Sequence, residues 1–175
     1  MNSERIAVSL VASDPTWPAQ AAAEADRLAQ AVGAPLVNVH HIGSTAISGI
    51  RAKPTIDLLP LVNNLAALDL REAAVRQLGY DWRGAFGLEG RRFCSLTVDG
   101  ARRFNVHFYE AGAPAVARHL AFRDYLRAHP QEARAYEAEK IRAAALSPDD
   151  TLAYNDHKND WIKACERRAL AWSKG

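Results

Sequence analysis

The chain reads as one α+β (α/β) domain spanning residues 1–175, with a sheet-bearing part over about 1–112 and a helical part over about 113–175. Three observations carry that reading. Two apolar runs, Leu36 to Ile42 and Thr55 to Val62, flank a loop of Gly, Ser, Thr and Pro, the pattern of two strands and their connection. Residues 91–109 form two strand-like runs on either side of Asp99-Gly100, the pair that a two-residue type I′ hairpin turn favours. From Pro114 onward the chain reads as helical, with prolines placed at helix starts.

Taken in order, residues 5–12 (RIAVSLVA) suit a short strand. Asp14-Pro15-Thr16-Trp17-Pro18 is a turn opening a helix from about Trp17 to Val32, which Gly33 closes as a C-cap. The two strands and their loop follow. Pro60 has no N–H to give a ladder, so the second strand is expected to end there or to lie near an edge. Asn63-Asn64 caps a second helix, Leu65 to Leu78, closed by Gly79. This alternation predicts helices on one side of a sheet. The hairpin turn sets Val98 opposite Ala101 and Arg92 opposite His107. Alternation then turns Phe104, Val106 and Phe108 to the core, and Arg103, Asn105 and His107, with Arg92, to a polar face. One helix is expected over Ala115 to Ala128 and another from Pro130 to near Leu146. A last helix is expected to be capped by Ser147, with Pro148 at its first position and Asp149-Asp150 at its positive end, and to reach Ser173. This helical third suits a lid or side layer on the sheet.

Composition narrows the function classes. Apolar residues make up 49% and charged residues 24% of the 175, ordinary values for a globular chain with a proper core. A net charge of +2 without blocks of like charge argues against a dedicated nucleic-acid binder. Cys94 and Cys165 match no zinc or redox spacing and suit small buried residues. No signal peptide and no membrane-length apolar run are seen, so a soluble cytoplasmic protein is expected. There is no Walker A spacing, no G-x-G-x-x-G, no nucleophile elbow and no HExxH.

The stretch richest in chemistry is HHIGSTAISGIRAKPTID, His40 to Asp57. Backbone amides after Gly43, with the Ser44 and Thr45 hydroxyls, suit an anion, and Lys53 adds a point charge for phosphate. Asp57 suits a hard cation such as Mg²⁺ beside that phosphate. A connecting loop with no ligand is the plain alternative. His107, also inside a strand, can pair with Asp57 if the strands are neighbours, as metal ligands, as an acid–base pair or as a structural hydrogen bond. At most one of His40 and His41 can face a given site. Arg91 and Arg92 alternate in the same way, so one of them can approach a phosphate. His119, Arg123 and Arg127 make a basic helical stripe that adds anion affinity if it turns toward the loop. Tyr154 and Lys158 suit the edge of the core.

The central stretch resembles the GrpB family, together with RRF from Arg91, VHF from Val106, FRDYLRAHP over 122–130, and Tyr136, Lys140, Tyr154 and Lys158. Domains of this kind occur alone and fused to dephospho-CoA kinase. The resemblance implies a nucleotidyltransferase-like (polymerase β-like) fold, a mixed β-sheet with helices packed on it. It implies that Gly43 and Ser44 grip a nucleotide and that Asp57 is a metal carboxylate of a D-x-D strand. The sequence departs from active nucleotidyltransferases there, because the other acidic position is Thr55 and the third strand offers His107. Expected ligands are thus a nucleotide or other phosphate-bearing small molecule and a divalent metal held by Asp57 and His107. Mg²⁺ or Mn²⁺ fits the phosphate reading, and Mn²⁺ or Zn²⁺ the Asp–His pair. Thr45, Lys53, Arg92 and Arg123 complete the expected ligand contacts. Nucleotidyl transfer, ligand binding without turnover, and a protein-interaction role tied to CoA metabolism remain the functional options.

Overall fold

The computed structural model describes residues 7–175. Five strands form one mixed sheet in the order β1-β2-β5-β4-β3: β1 is Leu36–Ile42, β2 Ile56–Val62, β3 Asp81–Trp82, β4 Arg91–Val98 and β5 Ala101–Glu110. Neighbours run antiparallel except β2 and β5, which run parallel. Helix α1 is Trp17–Val32, α2 Leu65–Asp69, α3 Glu72–Gln77, α4 Pro114–Ala128, α5 Pro130–Leu146 and α6 Thr151–Trp172.

Helices cover both faces of the sheet, where one-sided packing was expected. The reason lies in β2, whose run IDLLPLV is apolar almost throughout instead of alternating. Ile56, Leu58 and Val62 join Val106 and Phe108 under α1 and α3, where Leu28, Val32 and Val75 are fully buried. Leu59 and Leu61 point the other way and meet Ile42, Tyr109 and Val116 of α4. Each large apolar side chain so buried stabilises the fold by about 1.5–3 kcal/mol. A third cluster joins the helical part to the loop after β1, with Ile47 and Ile50 packed among Phe122, Leu126 and Tyr136.

Pro60 does not mark an edge. It lies in β2 between two neighbours, opposite Val39 of β1. The parallel ladder to β5 steps from Leu58↔Val106 to Leu61↔Tyr109, so the missing donor falls in a gap of that ladder.

The hairpin register also differs from expectation. Asp99 and Gly100 both take positive φ, 52° and 75°, as a type I′ turn requires, and Val98 pairs with Ala101. A bulge then intervenes: Thr97 pairs with Arg102 but Leu96 with Phe104, leaving Arg103 unmatched. Beyond the bulge every partner is displaced by one, so Phe93 faces His107 and Arg92 faces Phe108. A slip of one residue exchanges the faces of β4, which removes Arg92 from the polar face and puts Arg91, opposite Tyr109, on it.

Three smaller differences have local causes. The expected helix from Leu65 to Leu78 is two, broken at Leu70 and Arg71, where the Arg71 guanidinium donates to Ala31 O at the end of α1. Helix α6 starts later than Ser147 predicts, because Asp150 caps it by accepting from the Leu152 and Ala153 amides. Of the strand expected over 5–12, residues 5 and 6 lie outside the described residues, and Val11 forms an isolated bridge with Ala52. Cys94 and Cys165 are free and buried. No helix among the described residues is long and apolar enough to cross a membrane.

Candidate functional site

Asp57 is the second residue of β2 and lies opposite Asn105 in the parallel ladder. Strand alternation then puts Asp57, Asn105 and His107 on one face. Asn105 Nδ2 donates to Asp57 Oδ1 at 3.1 Å, and His107 Nε2 stands 3.5 Å from the same oxygen. Burial pushes the Asp57 carboxyl up, but His107, Asn105 and the charge of Lys53 together outweigh it. The net result is a carboxyl held below its ordinary value.

The loop between β1 and β2 borders this carboxylate. Gly43, at φ 73°, leads into a short turn over Ser44–Ala46. Helix α5 braces the loop at two levels. The Ser44 hydroxyl donates to Tyr136 Oη at 3.1 Å, while farther on Glu137 Oε1 accepts from the Arg51 amide and Lys140 Nζ donates to Arg51 O.

Between loop, sheet and helices lies a cavity of about 530 Å³, within the usual range for small-molecule sites. Gly43, Ser44, Lys53, Asp57 and His107 of the predicted set line it. Its helical wall is Tyr136 and Lys140 of α5 with Tyr154 and Lys158 of α6. The Lys158 and Lys53 ammonium groups sit 4.3 and 5.4 Å from the centre of the Tyr154 ring, and Lys140 Nζ is 4.7 Å from that of Tyr136. Burial and then the charge of Lys158 pull Lys140 down to about 7, against Glu137. Burial and then Lys53 pull Lys158 down to about 8, against Asp57. Lys53 is lowered too, by burial first, with Asp57 opposing and Arg102 adding to the fall.

Three expected ligand contacts stand elsewhere. Thr45 is buried with its hydroxyl 2.8 Å from His41 Nε2. Arg92 is held by two 2.7 Å bonds to Asp69 of α2, on the face to which the bulge turns it. Arg123 donates to its neighbour Asp124 and to His41 O, and Arg127 donates to Ala46 O, so these two arginines fasten α4 to β1 and to the loop after it. His41 is pulled down to about 4 by burial and by Arg127.

Of Arg91 and Arg92, either of which the sequence allowed to approach a phosphate, the bulge turns Arg91 to the cavity. Sequence reasoning gave other lining residues no role. The segment Phe86-Gly87-Leu88 lines the cavity, and its one signal is the spacing of Gly84, Gly87 and Gly90. Tyr136 and Lys140 figured in the family resemblance alone.

The donor set does not fit a resident metal centre. No group of three or more His, Cys, Asp or Glu gathers among the described residues, and Asp57 is the one carboxylate among the cavity-lining residues. The other acidic position of the D-x-D pattern is Thr55, whose hydroxyl donates to Arg102 O. Two-ion chemistry has too few oxygen ligands here.

A mixed sheet carrying a Gly-Ser loop and one strand carboxylate, backed by a helical part, makes this a nucleotidyltransferase-fold protein. Terminal uridylyl transferase 4 from Trypanosoma brucei, solved with bound dUTP, shares that fold at a TM-score of 0.50 and 14% identity, over 77% of this chain and 46% of that one. The GrpB protein family model matches residues 7–168, and the chain belongs to that family. The crystal structure of conserved protein GrpB from Enterococcus faecalis superposes at a TM-score of 0.90 with 34% identity, covering 95% of this chain and all of that one. UPF0157 protein YqkA of Bacillus subtilis is 39% identical over 96% of this chain and 49% of its own length. A dephospho-CoA kinase of Mycolicibacterium paratuberculosis is 32% identical over 97% of this chain and 47% of its own. The chain thus spans about half the length of each of these two relatives.

Proposed function

We propose that the cavity binds a phosphate-bearing ligand, a nucleotide being the class the fold favours. The observation that carries this reading is the convergence of Lys53, Lys140 and Lys158 on a space that holds a single carboxylate, Asp57. Ammonium groups brought together in a partly desolvated cavity repel one another, and a multiply charged anion relieves that repulsion. Gly43 and Ser44 add a backbone and a hydroxyl to the same wall. Asp57 is placed to supply one oxygen to a Mg²⁺ or Mn²⁺ ion carried in on the ligand's phosphates. A zinc site would need more donors than Asp57 and His107 offer. The lone carboxylate favours binding over nucleotidyl transfer, and Asp57-dependent release of pyrophosphate from a nucleotide would extend the reading to transfer.

The test is a thermal-shift screen of ATP, GTP, CTP, UTP and CoA, each with and without Mg²⁺ or Mn²⁺. A ligand at about 100 times its Kd adds about 2.7 kcal/mol to stability. The expected result is a shift from at least one of them that Lys158→Gln cuts to about half or less, as a tenfold loss of affinity does. A flat screen across all five ligands overturns the reading.

The dephospho-CoA kinase relative supports a second reading, an accessory domain in CoA metabolism that holds a CoA-like phosphate ligand or a protein partner without turnover. A shift from CoA alone, or a kinase that co-purifies with this chain while nucleotides are ignored, would favour it.

A further inference from the structure

The cavity has two chemically different ends. The lysines and tyrosines of α5 and α6 make one. Across the sheet from Asp57 the lining passes to His107 of β5, then to Phe93 of β4, whose ring centre lies 5.1 Å from that of His107. Phe86 follows, stacked on Phe93 at 5.3 Å with the rings 17° apart. This end is apolar and partly exposed: Phe86 is 55% exposed and Leu88 49%, while Phe93 behind them is buried.

Holding that wall open has a structural cost. Phe86 adopts φ 47°, a left-handed conformation that bulky residues seldom take. Arg91 holds it there. That side chain is buried, and its guanidinium donates to Ala85 O and, at 2.7 Å, to Phe86 O. Arg91 also lies over the Phe93 ring, its Cζ 5.3 Å from the centre. Arg83, which does not line the cavity, stands over Phe86 and is tied to Asp81. A buried arginine thus spends its donors on keeping a strained aromatic residue at the mouth of a charged cavity. Partly exposed aromatic and aliphatic side chains lining a cavity suit contact with an apolar part of a ligand.

We infer that the ligand carries a planar ring as well as phosphates, and that the ring packs against the wall formed by Phe86, Leu88 and Phe93 while the phosphates meet the lysines. This rests on the phosphate reading above and adds the class of ligand: a nucleotide or nucleotide-like molecule spanning both ends, with Asp57 and His107 between ring and phosphates. Phe86 is then the residue that separates ring-bearing ligands from plain polyphosphates.

The experiment compares ATP with inorganic tripolyphosphate by titration calorimetry, on the wild type, Phe86→Ala and Phe86→Trp. Phe86→Ala is expected to weaken ATP by about fivefold or more, the low end of what removing an aromatic contact to a base does. Tripolyphosphate affinity is expected to stay the same, and Phe86→Trp to keep ATP. Unchanged ATP affinity in Phe86→Ala overturns the inference and leaves the phosphate reading standing. Equal losses for ATP and tripolyphosphate overturn it too, since the segment would then act on the phosphate end through the fold. Failure of both ligands to bind the wild type overturns the phosphate reading, and the ring with it.

Discussion

Gly43 and Asp57 are packed so closely that a methyl group on Gly43 would stand 2.6 Å from Asp57 Oδ2. The first residue after β1 and the second of β2 therefore touch through the absence of a side chain. Gly43→Ala forces either the carboxylate or the loop to move. Gly49, in the same loop at φ 82°, has nothing within 4 Å of its added carbon. Both alanines bear a positive-φ penalty of about 1–3 kcal/mol, and Gly43→Ala stands at its upper end because φ 73° with ψ −171° is a region held almost only by glycine. Gly43→Ala is expected to cost at least about 1 kcal/mol more, since it also disturbs the Asp57 hydrogen bonds. Chemical denaturation of the two variants measures the difference, and equal losses would show that Asp57 yields freely.

Arg91 and Arg92 are expected to behave differently although they are adjacent. Arg92→Ala loses a partly exposed ion pair with Asp69, worth about 1 kcal/mol or less, and leaves ligand affinity as it was. Arg91→Ala strips the Ala85 and Phe86 carbonyls of their donor and frees the 84–90 segment. Hydrogen exchange at those amides is expected to speed up at least tenfold in Arg91→Ala and to stay unchanged in Arg92→Ala. The reverse pattern would contradict the bulged register.

That pair also shows where the sequence is legible and where it is not. The Asp99-Gly100 turn is readable because only a few residue pairs accept two positive φ values in succession. The Arg103 bulge is not readable, since no residue type marks it, and everything beyond it changes face. Pro60 misleads for a similar reason: its missing donor speaks against a central strand, but the parallel ladder has room for one gap. Asp57 and His107 stand out because ionisable groups inside apolar runs are costly without partners. Thr45, Arg92 and Arg123 have the right chemistry for an anion but are claimed by His41, by Asp69, and by Asp124 with the His41 carbonyl; the Asp69 and His41 carbonyl contacts exist only in the tertiary structure. Lys140 and Lys158 lie in ordinary helical sequence, and nothing short of the fold brings them to Lys53.

Tyr80 and Glu24 form a buried polar pair that a stability measurement can weigh. The phenol donates to Glu24 Oε1 at 2.8 Å, while Arg27 holds both carboxylate oxygens. Burial, then the charge of Glu24, raises the phenol's pKa, so it stays protonated as donor. Tyr80→Phe is expected to cost about 1.5–3 kcal/mol, the range for a hydrogen bond to a charged group. Denaturant unfolding would reveal it, and a loss well under 1 kcal/mol would mean that Arg27 alone satisfies Glu24.

The lysine cluster makes opposite predictions for the free and the ligated protein. Lys140 and Lys158 ionise near 7 and 8 in the fold, against 10.5 for the unperturbed side chain. Between those values the unfolded chain holds more protons than the native one, so stability of the free protein rises with pH from about 7 to 10.5. A phosphate ligand prefers the protonated lysines. Its affinity is expected to fall as pH rises past 8, and binding near pH 7.5 is expected to take up protons. Calorimetry of ATP binding in two buffers of different ionisation heat measures that uptake directly. Lys158→Met follows the same logic: it removes a charge that the fold desolvates, so the free protein is expected to melt higher at pH 7 while ATP affinity drops at least tenfold. Affinity that stays flat from pH 7 to 9 would place the phosphates away from these lysines. Proton release on binding would show that the ligand does not draw on their charge.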